Sequence, residues 1–375
     1  MLTVFWVCVG FAGYTYIGYP LLLHVLATRT PRRPHDPQLG YPAVTVIIPA
    51  YNEEAVIARK IRNVLFCAYP LERLQVIVVV DGASDATAAR ASEVRDPRVT
   101  VLCKANREGK MAAINDAMEH ASAPITVLTD AAELFEADTI ARLAAHFSDP
   151  KVGAVSGELQ LVDQHTGVSR NLGRYWAYEK MIRADEATVG SVVGATGPVY
   201  ALRTKLFRRL PDDTILDDVA IPLEIIQQGF RVAYDRHARA TERATLDGMQ
   251  EFVRKRRTLA GNYQLIFRYW RLLVPFVSPI AWQFWSHKVF RLLVPYALLG
   301  IMVGAFGLPH PWNSVMLAAQ GSFYLLALWA YRDPRCTQRP WLLVPYTFCM
   351  LNWAALSASY YYYSGRLSVQ WEKVK

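Results

Sequence analysis

Short apolar runs rich in β-branched residues alternate with helical segments in the first half of the chain. Four runs have this character: Val44–Pro49, Leu74–Asp81, Val99–Cys103 and Ile125–Asp130. The segments between them have helical character: Glu54–Cys67, Ser84–Val94 and Lys110–His120. Because strands buried on both faces are apolar throughout, the runs indicate parallel strands, and the βαβαβαβ order predicts a mostly parallel sheet.

The region from about residue 150 to residue 246 has a more mixed pattern. It predicts strands near Val152–Leu161 and Phe230–Tyr234, an extended segment at Val199–Arg203, and helices around Arg170–Thr188 and Asp218–Gln228. We expect these elements to complete one α/β domain.

Long apolar stretches lie at both ends of the chain, which has 375 residues and is 53% hydrophobic. Leu2–Ala27 is long enough to cross a bilayer, which takes about 20 residues. A cleaved signal peptide is the alternative, but no basic residue precedes the run, so a retained anchor is favoured. Three further spans are expected at Val289–Leu308, Ser314–Tyr331 and Trp341–Tyr363.

Basic residues flank these spans. Arginines at 29, 32 and 33 follow the first span, and arginines at 332, 335 and 339 lie between the last two. By the positive-inside bias both segments are expected on the cytoplasmic side, which predicts a multi-pass protein of the cell membrane with a cytoplasmic catalytic domain. The same bias explains much of the net charge of +9, so no nucleic-acid partner is expected.

Two segments between the α/β region and the second span are expected to lie on the membrane surface. Asp247–Tyr263 and Arg271–Lys288 combine apolar and basic residues but are short for a span, which favours an interfacial position among membrane lipids. The predicted organisation is an anchor at 1–28, a linker at 29–43, a catalytic domain at 44–246, interfacial helices at 247–288, and a C-terminal membrane region with a tail at 289–375. Five cysteines without metal or redox spacing argue against a zinc site or a disulfide framework.

Acidic and amide side chains follow the predicted strands. The first strand runs into Pro49-Ala50-Tyr51-Asn52-Glu53-Glu54, and the second into Asp81-Gly82-Ala83-Ser84-Asp85-Ala86-Thr87. A strand-to-helix turn with Asn52 as helix cap explains the first motif alone. Its combination with the second, at the sheet edge where open α/β folds bind ligands, favours a nucleotide pocket.

The paired motifs Pro49–Glu54 and Asp81–Thr87 resemble the nucleotide-binding signature of family-two inverting glycosyltransferases, in the membrane-bound branch with cellulose, chitin, hyaluronan and poly-N-acetylglucosamine synthases. The resemblance covers about residues 44–261 and implies a GT-A-like, Rossmann-like cytosolic domain. Val80 replaces the first Asp of the usual pair. The resemblance assigns the nucleotide sugar to Pro49, Tyr51, Glu53, Asp81, Lys110, Asp130 and Arg257. Lys110 is chemically suited to a phosphate at a helix N-terminus, with a solvated basic loop as the alternative.

Asp130 occupies the first position of the family's D-x-D metal motif, and Ala132 occupies the third. The resemblance implies Mg²⁺ or Mn²⁺ with Asp130 as ligand, since a divalent ion must neutralise the diphosphate leaving group. Glu133 is the alternative second carboxylate one step further on.

Asp217-Asp218 stands where the family has its general base, so the resemblance assigns Asp218 to deprotonate the acceptor hydroxyl. The alternative is that both aspartates only cap the following helix. Asp217, Gly197 and Thr258 are placed on the acceptor side. Thr258 stands where processive relatives have Trp, which argues against long-chain processivity.

The sequence therefore predicts a membrane-bound inverting hexosyl- or N-acetylhexosaminyltransferase. Its expected donor is a nucleotide diphosphate sugar, UDP-linked, and its acceptor a saccharide or a polyprenyl-linked saccharide. Three C-terminal spans are a narrow basis for a pore that translocates the product, so a second copy of the chain or an export partner is a possible addition. The alternative function is a catalytically inactive subunit that binds nucleotide sugar and scaffolds a synthase complex, as the incomplete metal motif suggests.

Overall fold

The computed structural model describes residues 1–31, 40–162, 167–243, 248–333 and 339–366. The helices are α1 (Leu2–Arg29), α2 (Ile57–Leu65), α3 (Thr87–Ser92), α4 (Lys110–Glu119), α5 (Thr139–Ala145), α6 (Gly167–Val189), α7 (Asp217–Gln227), α8 (Gly248–Arg268), α9 (Ala281–Ala305), α10 (Trp312–Arg332) and α11 (Pro340–Tyr363). The strands are β1 (Val44–Ala50), β2 (Leu74–Asp81), β3 (Val99–Lys104), β4 (Ile125–Leu128), β5 (Leu134–Phe135), β6 (Val152–Val162), β7 (Tyr200–Arg203) and β8 (Arg231–Arg243).

These elements form two compact units. The α/β unit contains the described residues of 31–162 and 186–243, and the helical unit contains those of 1–30, 167–185 and 248–366. Most of the predicted linker falls on residues 32–39 and the basic tail on 367–375, both outside the described residues, as is Arg335. The boundaries drawn from the sequence stay predictions.

The α/β unit contains one eight-stranded sheet in the order β3-β2-β1-β4-β7-β6-β8-β5. The first four strands are parallel to one another, as the alternation predicts. The rest of the sheet is mixed, because β7 pairs antiparallel with both β4 and β6 while β8 pairs parallel with β6. The sheet is therefore less parallel than the strand–helix order suggests.

Helix α2 shows how the sequence covers this sheet. Ile57, Ile61 and Val64 recur at the spacing of one helical face and are buried in the core with the residues of β1 and β2. Lys60 lies on the same face and is completely buried. One charged residue is thus placed in an otherwise apolar layer.

The hydrophobic pattern of the sequence does not predict two features of the α/β unit, the full length of one strand and the presence of another. Strand β8 extends well beyond the predicted Phe230–Tyr234. The sequence pattern does not reveal its second half, because only small residues, Ala238 and Ala240, are buried there between polar ones. Strand β5 has two residues and pairs with β8, so it has no periodicity to detect.

The helical unit contains four helices that are long and apolar enough to cross a membrane, α1, α9, α10 and α11. This confirms the prediction of one N-terminal and three C-terminal spans. Helix α9 begins at Ala281, so it includes eight residues of the segment predicted to lie on the membrane surface. A side chain at Gly304 would begin 2.7 Å from the backbone N of Phe5, so glycine permits the close approach of α9 to α1.

A buried ionic cluster links α6 and α9 within the helical unit. The Glu179 carboxylate binds His287, at 3.0 Å between Oε2 and Nε2, and the guanidinium of Arg291. Burial alone would raise the pKa of Glu179, but the charges of Arg291 and His287 outweigh it and hold that pKa well below its ordinary value. The unit also contains an apolar cavity of about 780 Å³ lined by α9, α10, α11 and the start of α8.

Candidate active site

The predicted acidic strand ends meet at one place in the α/β unit. Strand β1 lies between β2 and β4, so the chain order reverses at β1 and leaves a crevice beyond the carboxyl ends of β1 and β4. The turn of Tyr51 follows β1, and the turn of Asp130 follows β4. This crevice is the position at which open α/β sheets bind ligands.

The turns after β1 and β2 are bonded to each other. The Asn52 side chain accepts from the backbone N–H of Ser84 at 2.9 Å, and the backbone N–H of Glu53 donates to Thr87 Oγ1 at 2.7 Å. Asn52 has a φ of +52°, which asparagine tolerates better than most residues. Asn52 therefore joins the two turns, and α2 begins only at Ile57, so its predicted role as a helix cap is wrong.

Tyr51, Pro49 and Glu53 occupy different depths of the first turn. The Arg107 guanidinium lies over the Tyr51 ring, with Cζ 3.8 Å from the ring centroid. Pro49 is buried in β1, and Glu53 is 9% exposed. Tyr51 and Arg107 together form a flat surface beside the crevice.

Asp81 holds the loop that leads into α4. Its carboxylate accepts the backbone N–H of Glu108 at 2.9 Å and that of Gly109 at 2.7 Å, and the residue is 4% exposed. The loop ends at Lys110, the first residue of α4. Asp81 thus fixes the backbone from which the Lys110 side chain extends.

Lys110 joins the acidic residues of the crevice. Its Nζ lies 2.8 Å from Asp130 Oδ1 and 3.2 Å from Asp217 Oδ1. Burial alone would lower the pKa of Lys110, but the charges of Asp130 and Asp217 outweigh it and raise that pKa above its ordinary value. The Tyr200 hydroxyl donates to Asp217 Oδ2 at 3.3 Å. In this arrangement the ammonium binds two carboxylates, so the alternative of a solvated basic loop is wrong for Lys110.

Asp218 lies in the first turn of α7, beside Gly197. The helix starts at Asp217 after Leu216, which offers no capping group, and Asp217 binds Lys110 and Tyr200 instead of serving as the cap. The alternative of a mere helix cap is therefore wrong for Asp217, and the role of Asp218 stays a prediction. A side chain added at Gly197 would begin 3.3 Å from Asp218 Oδ2, so Gly197 leaves the space in front of that carboxylate open.

The turn after β4 differs at the two positions considered for a second metal ligand. Ala132 is exposed and has no ligand atom in its side chain, whereas Glu133 is buried, at 8% exposed. Within the described residues, no group of three or more His, Cys, Asp or Glu side chains is arranged to hold a metal ion. Asp130 and Asp217 nevertheless converge on one positive charge, that of Lys110. These residues fit a divalent cation bound by one carboxylate together with substrate phosphates, which is a common arrangement for Mg²⁺.

Lys60 supports the Asp130 turn from below. Its Nζ donates to Thr129 Oγ1 at 2.7 Å and to the backbone carbonyl of Glu133 at 2.6 Å. Thr129 Oγ1 in turn donates to the carbonyl of Pro198 at 2.7 Å, next to Gly197. Burial lowers the pKa of Lys60 and raises that of Glu133. Sequence reasoning missed Lys60, although a lysine on the apolar face of α2 was the available signal.

Two residues assigned to the site lie in the helical unit. Arg257 and Thr258 are on α8, where Thr258 Oγ1 donates to the backbone carbonyl of Arg254 at 3.0 Å. The α/β unit therefore brings together Asp130, Lys110, Asp217 and the Gly197–Asp218 contact, and the roles of Arg257 and Thr258 stay predictions.

The sequence matches a family of glycosyltransferases. The model of the family described as "Glycosyltransferase like family 2" matches residues 42–263. An N-acetylglucosaminyltransferase of Rhizobium meliloti (strain 1021) is 29% identical over 211 residues, which are 52% of this chain and 49% of the relative. A beta-monoglucosyldiacylglycerol synthase of Synechocystis sp. is 21% identical over 319 residues, 82% of this chain and 62% of the relative.

Among solved structures, a mannosyltransferase, PcManGT from Pyrobaculum calidifontis in complex with GDP-Man and Mn²⁺, superposes with a TM-score of 0.73 at 22% identity, covering 97% of this chain and 99% of that one. This likeness concerns the fold, and with the family match it confirms the predicted GT-A-like architecture. The chain spans about half to three fifths of the length of the curated relatives described above.

Proposed function

We propose that the α/β unit transfers a sugar from a nucleotide diphosphate sugar to an acceptor hydroxyl, with inversion at the anomeric carbon. The chain belongs to the glycosyltransferase like family 2. The observation that carries the proposal is the convergence of Asp130 and Asp217 on Lys110, with Asp218 at the start of the same helix as Asp217. Three carboxylates and one ammonium at the edge of the sheet suit a reaction in which a nucleoside diphosphate leaves the anomeric carbon and a hydroxyl loses its proton.

The proposed mechanism assigns a role to each residue of the candidate site. Asp218 accepts the proton of the acceptor hydroxyl, and Gly197 leaves room for that hydroxyl in front of the carboxylate. Lys110 pairs with the phosphates of the donor, close to the N-terminus of α4. Asp130 would hold Mg²⁺ or Mn²⁺, which stabilises the negative charge of the leaving diphosphate. The Tyr51 and Arg107 surface is proposed to contact the nucleotide, and Asp81 to orient the loop of Lys110.

The relatives support a proposal for the donor, and the helical unit supports one for the acceptor. We propose a UDP-linked N-acetylhexosamine or hexose as donor, because the curated relatives are named for N-acetylglucosaminyl transfer and for a glucosyl lipid. A lipid-linked acceptor is favoured by the apolar cavity of about 780 Å³ in the helical unit, which suits an isoprenoid or acyl chain. The four apolar helices are proposed to hold the protein in the cell membrane with the α/β unit in the cytoplasm.

Release of nucleoside diphosphate by the purified chain in detergent tests the proposal. We expect release of UDP from UDP-N-acetylglucosamine or UDP-glucose in the presence of Mg²⁺ or Mn²⁺ and an acceptor, with GDP-mannose as a comparison donor. Replacing Asp218 by Asn should lower kcat by about 10²- to 10⁴-fold, the usual contribution of a general base. Glu224→Gln, on the same helix α7, serves as the matched control and should keep the wild-type rate.

The two remaining outcomes separate the alternatives. No release with any of these donors and acceptors, while donor binding persists, would identify an inactive binding subunit of a synthase complex. Equal rates in the wild type and in Asp218→Asn would remove the base assignment and leave the enzyme.

A further inference from the structure

Lys110 holds the carboxylate that the proposed function needs for a metal ion. Its ammonium is 2.8 Å from Asp130 Oδ1 and also binds Asp217. The backbone beneath it is fixed by Asp81 through the N–H groups of Glu108 and Gly109. A change of partner by Lys110 therefore requires rotation of a flexible side chain and no movement of the loop.

The turn after β4 offers a divalent cation little apart from Asp130. Ala132 contributes no ligand, and Glu133 is buried above Lys60, whose ammonium binds the Glu133 carbonyl. A cation entering at Asp130 would meet the positive charge of Lys110 at the same carboxylate, and like charges in a partly buried site repel strongly. The protein alone therefore binds such a cation poorly.

Donor phosphates change both the partners available to Lys110 and the ligands available to the cation. They offer Lys110 new negative partners near the N-terminus of α4, and they supply the oxygen ligands that Ala132 does not. We infer that Lys110 is an internal counter-ion that must exchange Asp130 for the donor's phosphates before a divalent cation can bind, so that the cation and the nucleotide bind as one coupled event. This inference rests on the proposed function, and it specifies the order in which the site fills.

Binding of Mn²⁺ to the full-length protein in detergent, measured by electron paramagnetic resonance, tests the exchange without catalysis. For the wild type we expect a Kd for Mn²⁺ at least tenfold lower with saturating UDP than without it. Lys110→Met should bind Mn²⁺ alone at least tenfold more tightly than the wild type does. UDP should improve its Mn²⁺ affinity less than in the wild type, because the phosphates still add ligands but no ammonium has to leave Asp130. Lys104→Met is the matched control: Lys104 pairs with Glu108 and Asp116 instead of the site carboxylates, so both wild-type values should persist.

The wild-type measurement stands even where Lys110→Met fails to fold. Equal Mn²⁺ affinity with and without UDP, in a protein that binds UDP by calorimetry, would overturn the exchange and leave the proposed function intact. Absence of UDP binding under all metal conditions would instead contradict the proposed function itself. Unchanged affinity of folded Lys110→Met for Mn²⁺ alone would also overturn the exchange.

Discussion

Two clusters of buried charge, one in each unit, differ in their balance. In the helical unit one carboxylate, Glu179, pairs with the guanidinium of Arg291 and binds His287. In the α/β unit one ammonium, Lys110, binds Asp130 and Asp217, and Asp218 follows directly in the chain. Among the described residues, the one carboxylate of the first cluster faces a guanidinium, whereas two carboxylates of the second face one ammonium.

The difference indicates what each cluster is for. A balanced, enclosed cluster fixes the packing of its elements, because each charge already has a partner and removing one exposes the other. Two carboxylates that share one ammonium at a crevice are typical of a functional site, because the ammonium can change partner when a ligand binds. If this contrast is correct, substitutions in the balanced cluster should act on stability and those in the unbalanced cluster on binding and rate.

The largest expected effect is in the balanced cluster. Arg291→Met leaves Glu179 buried with only part of its compensation, so we expect a loss of about 3 kcal/mol in the free energy of unfolding, at the lower end of the cost of breaking a buried ion pair. Thermal or denaturant unfolding in detergent measures it. The double variant Arg291→Met/Glu179→Met should recover most of the loss, since no charge is then left unpaired. A single-variant loss below about 1 kcal/mol would remove the distinction between the clusters.

The matching change in the unbalanced cluster is Asp217→Asn. The amide keeps the shape of the side chain beside Tyr200 and removes one of the excess negative charges. We expect transfer to slow by about tenfold or more, because Lys110 loses a partner that positions it. The free energy of unfolding should fall by less than it does for Arg291→Met, because Lys110 still pairs with Asp130. Parallel assays of rate and unfolding on the same preparation make the comparison. A large loss of stability with unchanged rate would reverse the interpretation.

The sequence predicted the elements that have a strong local signal. Uniformly apolar strands gave the parallel half of the sheet, and four long apolar stretches gave the four candidate spans. It did not predict the second half of β8, where small alanines carry the burial, or the start of α9 at Ala281, where two prolines just upstream and several polar residues masked the continuous helix. These features depend on tertiary packing that local patterns do not encode.

The site was predicted in part for the same reason. Asp130, Lys110, Asp217 and Asp218 were all named from motifs, but their mutual pairing depends on which strand ends become neighbours in the sheet. Glu133 is the carboxylate next to Ala132 in the sequence, but the structure buries Glu133, whose carbonyl binds Lys60, and exposes Ala132. The contact between Lys60 and Thr129 depends on the packing of α2 against the end of β4, which no spacing in the sequence reveals.

Per pH unit, the smallest expected effect concerns the buried pair beneath the turn. The pKa of Glu133 is raised to about 8 from an ordinary value of 4.5, first by burial and then by the charges of Asp130 and Glu242, with Lys60 opposing. The folded protein therefore holds a proton that the unfolded chain releases, so this contribution to stability is complete below pH 4.5 and is lost as the pH rises through 8. The lowered pKa of Lys60 acts with the opposite sign but only above about pH 8.

The window from pH 5 to pH 8 consequently isolates Glu133. Glu133→Gln cannot release a proton there, so its free energy of unfolding should rise relative to that of the wild type by up to about 1.4 kcal/mol per pH unit. Glu72→Gln, which changes an exposed carboxylate, should follow the wild type across the window and serves as the control. Denaturant unfolding at four pH values measures the difference. A gap between Glu133→Gln and the wild type that stays constant with pH would mean that Glu133 is already ionised above Lys60, and that the turn carries a balanced pair like the one in the helical unit.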